Sequence, residues 1–143
     1  MQLEFALLCD AVTQREGLLN ILGAGVGVAE KSDFPAPIGV DLAISLFLDE
    51  AELDRLQAFG VSIVADDGTI VGQVSGQFSA KRILPKETIE IIRVGIPVKF
   101  PPNALLPSEG RYNFEVQLND KVVASVPLLA TRSATKTASP LTA

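Results

Sequence analysis

The sequence predicts an all-β protein, an antiparallel β-sandwich of about eight strands, on three observations. Tyr112, Phe114, Val116 and Leu118 alternate with Arg111, Asn113, Glu115 and Gln117, the period-two pattern of a strand with one buried and one wet face. Turn residues recur between short apolar runs, with Asn119-Asp120 after that strand and Asp66-Asp67-Gly68 between residues 57–65 and 69–80. No stretch repeats apolar residues at helical spacing over the length an amphipathic helix needs.

Each element follows from its own residues. Residues 3–12 and 18–28 are apolar runs joined by the polar TQREG, and they should pair antiparallel. Gly23, Gly25 and Gly27 weaken the second run, which should bend or break there. Two prolines in SDFPAPIG favour an extended connection over residues 34–37. A strand over residues 38–48 follows, with Ile38, Val40, Leu42, Ile44, Leu46 and Leu48 on one face and Asp41 and Ser45 on the other. DEAELDRL permits one or two helical turns within a loop. In the hairpin at the Asp-Gly turn, Ile70, Gly72, Val74, Gly76 and Phe78 share a face. Pro97 suggests an edge position for the strand over residues 88–100, because it removes a ladder donor.

For the final hairpin, counting Lys121 into the loop lets Leu118, Val116, Phe114 and Tyr112 face Val122, Ala124, Val126 and Leu128. That register buries all eight, so a three-residue loop is expected. Tyr112, two residues after Gly110 at the start of the penultimate strand, resembles the tyrosine corner of immunoglobulin-like sandwiches and extends the expectation to that architecture. Residues 1–130 form the domain. Residues 131–143, rich in Ser, Thr and Ala, are expected to be a flexible tail.

At 143 residues the chain suits one domain that buries about 68–70% of the surface its unfolded form exposes. A net charge of −5 argues against nucleic acid, which demands a concentrated cationic face. Cys9 is the only cysteine, so no intramolecular disulfide forms and a reducing compartment, the cytoplasm, is the simpler expectation. The opening MQLEFALLCDAV lacks a basic leader region and carries Glu4 and Asp10, which fits neither a signal peptide nor a membrane span.

Candidate chemistry is sparse. With no His, the chain cannot build a Ser-His-Asp triad, a Cys-His pair or a His metal site. Cys9 sits among Leu7, Leu8 and Ala11 and reads as a packed thiol. Gly23-Ala24-Gly25-Val26-Gly27 fails the dinucleotide fingerprint, whose third Gly would fall at Val28. The absence of Trp removes the usual stacking platform for sugars. Asp49, Glu50, Glu52 and Asp54 cluster carboxylates that Ca²⁺ could use, without the Asp-x-Asp-x-Asp-Gly spacing of a dedicated loop. Arg15 and Glu16, in the first loop, are the candidate interaction pair, with a local ion pair as the plainer role.

Glu4-Phe5-Ala6-Leu7-Leu8, Asp10-Ala11, Arg15-Glu16-Gly17-Leu18, Ile21-Leu22-Gly23-Ala24-Gly25, Phe34-Pro35-Ala36 and Gly110-Arg111-Tyr112 together resemble a bacterial domain-of-unknown-function family of small all-β proteins. The likeness spans roughly residues 2–129. It implies a bacterial, β-rich protein and assigns no activity or site residue.

The functional expectation is a non-enzymatic protein-interaction or assembly module. It would bind a protein partner or copies of itself as a homo-oligomer, through sheet edges or the tail, with no cofactor, nucleic acid or membrane. The alternative is a small-ligand or Ca²⁺-binding module using residues 49–54. An enzyme working through carboxylates alone is a third reading, with no pair identifiable.

Overall fold

The computed structural model describes residues 1–81 and 91–134. It contains β1 (Gln2–Arg15), β2 (Leu18–Ala24), β3 (Val28–Lys31), β4 (Ala36–Pro37), β5 (Asp41–Asp49), a single 3-10 turn (Glu50–Glu52), β6 (Gln57–Ala65), β7 (Ile70–Phe78), β8 (Ile91–Val98), β9 (Leu105–Leu106), β10 (Gly110–Leu118) and β11 (Lys121–Arg132). One sheet has the order β2-β1-β5-β8, the other β3-β11-β10-β6-β7, and β4 pairs with β9 in a small ribbon. The pairs are antiparallel except that β3 runs parallel to the end of β11. The described residues thus hold eleven strands where about eight were expected. Two are two-residue pieces, and the run 18–28 is broken at its glycines, where Gly23 and Gly25 take φ of 65° and 91°.

The sheets pack face to face as a β-sandwich. Leu8, Leu42, Ile44 and Leu46 of the first meet Val61, Ile63, Phe114 and Val116 of the second in one apolar core. Phe100 closes it edge-on against Phe114, with ring centroids 5.4 Å apart. The Tyr112 hydroxyl donates to the Ser108 carbonyl at 2.7 Å, a side-chain clamp between β10 and the chain leading into it.

Several details differ from expectation. The β10–β11 loop is two residues, Asn119 and Asp120 at φ of 47° and 66°, not three. Tyr112, Phe114 and Val116 do face Leu128, Val126 and Ala124, but a bulge past Val116 supplies that register and leaves Val122 opposite Gln117 and half exposed. A bulge in the β6–β7 pairing also turns Ile70 to the outer face opposite Val64. β11 continues through Arg132, paired with Lys31, so residues 131 and 132 are strand rather than tail. The rest of the tail from residue 135, and residues 88–90 of the expected strand over 88–100, lie outside the described residues.

The largest departure is at β5. Its apolar parity faces the core, yet Ala43 and Ser45, on the face expected to be wet, are also buried. Something covers the outer face of this sheet, and it is the far half of the β1–β2 hairpin.

Candidate functional site: a groove beneath a folded-back hairpin

Phe5 and Gln14 are nine positions apart on β1, about 30 Å along a straight strand. Phe5 shares a row with Ser45 and Gly95 across β5 and β8. Gln14 nevertheless donates from Nε2 to the Gly95 carbonyl at 3.0 Å. The hairpin therefore doubles back over its own sheet, and Val12, Leu19 and Ile21 pack on Cys9 and Ala43 in a second, smaller apolar cluster.

The sequence contains the parts for this bend. Gly23 has a positive φ, and the Asp10 carboxylate occupies the space a β-carbon there would need. Val12, which has passed the end of β5, donates its N–H to Asp41 Oδ2 at 3.0 Å, and Lys99 Nζ holds the same oxygen at 2.8 Å. Beneath the hairpin the sheet offers small residues, Ala43, Ser45 and Gly95. Glu16 and Gly17, at φ of 52° and 78°, make the tight two-residue tip.

Between the tip and the sheet lies a groove of about 270 Å³. Phe5, Leu18, Leu19 and Ile21 give it apolar walls, while Glu4, Ser45 and Arg93 give it a polar end. There Glu4 Oε2 accepts from Arg93 Nε at 2.6 Å and from Ser45 Oγ at 3.4 Å. The Arg93 guanidinium also sits 5.2 Å from the centre of the Phe47 ring. The volume falls below the roughly 300–1,000 Å³ of small-molecule sites, so the groove suits one side chain of an extended segment better than a cofactor. Leu18, at the rim of the groove, and Leu22, beyond Asn20, are 71% and 68% exposed. A second concavity of about 330 Å³, over Gly60, Ser75 and Gln117 on the other sheet, has no such ion pair.

Of the residues singled out from sequence, Arg15 closes the hairpin opposite Leu18 and Glu16 occupies its tip. No ion pair joins the two among the described residues, and neither lines the groove, which the hairpin tip reaches through Gly17 and Leu18. Glu4, Leu18, Ser45 and Arg93 were not recognised from sequence. The one available signal was the apolar pair Leu19 and Ile21 in a chain whose other strands carry the small residues Ala43, Ser45 and Gly95 at alternate positions.

The acidic stretch is occupied differently. Asp49 Oδ1 accepts the Glu52 N–H and Glu52 Oε1 accepts the Asp49 N–H, each at 3.1 Å, which is a reciprocal capping box. The second Glu52 oxygen takes the amino group of Met1. Burial pushes the Glu52 carboxyl up, but the hydrogen bonds from Met1 and Asp49 outweigh it and hold the group below the usual range. Asp54, at φ of 61°, donates its N–H to the Ala80 carbonyl at 2.8 Å, and Glu50 lies within the 3-10 turn. Among the described residues no group of three or more His, Cys, Asp or Glu is placed to hold a metal ion. Cys9 is fully buried, and burial, followed by Asp41 and Asp10, pushes its thiol up and away from reactivity. No helix among the described residues is long and apolar enough to cross a membrane.

These features define a β-sandwich with a covered outer face and a small amphipathic groove. The chain belongs to a family of unknown function, DUF6941, whose match covers residues 4–131. A search of curated proteins finds no match.

Proposed function

We propose that the protein is a non-enzymatic interaction and assembly module on an immunoglobulin-like sandwich. Its hairpin groove takes an apolar side chain from an extended segment of a protein partner. The immunoglobulin-like reading is supported by the Tyr112–Ser108 clamp and by β3 running parallel to the last strand. The interaction reading is carried by the groove itself, where an apolar slot ends in the Glu4–Arg93 pair and is flanked by two leucines left largely in water. The slot supplies burial, and the charge pair orients the segment's polar groups.

The test is capture from the native host with the full chain and with Leu18→Asp, a change at an exposed position that should leave the melting temperature unaltered. A partner retained by the wild type and lost with Leu18→Asp is the expected outcome. Equal recovery by both proteins would remove the groove from the account.

A further inference from the structure

We infer that β7 is a self-recognition edge through which two copies of this chain join their five-stranded sheets into one continuous sheet. The inference rests on the assembly reading above but concerns a different surface, and it names the partner as a second copy. β7 ends its sheet, and nothing among the described residues pairs with its outer side; the β4–β9 ribbon approaches it without joining the ladder.

The other edges carry devices that discourage pairing. β8 has Arg93 and Pro97, β3 has Glu30 and Lys31, and the overhanging start of β11 has Lys121 and Pro127. β2 lacks such residues but is bent at Gly23 and laid over its own sheet. β7, IVGQVSGQF, has no charge and no proline, and its bulge lies at its first residues, which leaves Gly72 to Phe78 regular.

Within that stretch, Gly72 to Gly76 (GQVSG) reads almost the same in both directions. An antiparallel pair of β7 strands with its twofold axis at Val74 sets Val74 against Val74 of the second copy, Gln73 against Ser75, and Gly72 against Gly76. Such a contact is isologous, and it closes at two copies. Each level is matched in kind: apolar at the axis, a hydrogen-bonding amide and hydroxyl beside it, and glycines beyond. Neither glycine is an empty gap, because the Phe59 ring lies over Gly76 and Ile63 reaches Gly72. Val74 faces the core side yet is only half-buried, because β7 is the last strand; a second copy would complete its cover.

The pairing is tested by sedimentation equilibrium on the full chain and two double variants at exposed positions. Wild type is expected to dimerise in the micromolar range, as a small strand-to-strand contact does. Gln73→Lys with Ser75→Lys sets lysine against lysine twice and should raise the dimer dissociation constant about tenfold or more. Gln73→Glu with Ser75→Lys sets unlike charges against each other in this register alone and should restore dimerisation. A wild type monomeric to about 1 mM, or two variants that associate equally, would overturn the inference. Either failure leaves Leu18-dependent partner capture untouched, so the groove reading stands or falls separately.

Discussion

Leu19 lies directly over Gly95. A β-carbon built on Gly95 would stand 2.5 Å from Leu19 Cγ, closer than any real contact allows. Gly95→Ala is therefore expected to push the hairpin off the sheet and to cost about 1–3 kcal/mol. Gly27→Ala, at a site with no neighbour within 4 Å, should cost well under that. Urea denaturation of both variants checks the contrast.

Asp41 pins the bend through one carboxylate oxygen. Asp41→Ala leaves the N–H of buried Val12 without its acceptor, at a cost of about 1–3 kcal/mol. Asp41→Asn keeps an acceptor and loses only the charge pairing with the exposed Lys99, worth under about 1 kcal/mol. Comparing the two stabilities separates the hydrogen bond from the ion pair.

Tyr112→Phe removes the hydroxyl that donates to Ser108 while keeping the ring in the core. A loss of about 1 kcal/mol is expected in chemical denaturation, with the fold unchanged by circular dichroism.

Glu52 gives the fold an acid limb. Its carboxyl is held below its unfolded value, so its contribution is complete above the ordinary glutamate range and disappears as pH falls through the folded value. Glu52→Gln should be less stable than wild type at pH 7, and the two melting curves should converge as pH falls through the folded value. A gap that persists in acid would show that packing, not charge, makes the difference.

What the sequence disclosed follows from the range of each signal. Alternation is local, and it located the strand from Tyr112 to Leu118 and its core face without any tertiary knowledge. Bulges shift alternation by one residue at no compositional cost, which is why Val122 and Ile70 were assigned to the wrong side. The folded-back hairpin is a long-range event. It needs Asp10 beside Gly23, Asp41 beneath Val12 and Gly95 beneath Leu19, and each partner is distant in the chain. Ser45 looked like a wet-face residue because a small polar side chain is ambiguous until something is seen to cover it. The groove inherits that opacity, since Glu4 and Arg93 are 89 positions apart.

The groove beneath the hairpin is proposed to recognise protein. A photo-reactive amino acid placed at Leu18 of the full chain, activated in extract of the native host, tests it most directly. One dominant protein adduct is expected, lost when Arg93→Glu is added. Adducts at Leu18 no more abundant than those from the same residue at Asp66, an exposed hairpin tip on the other sheet, would contradict it.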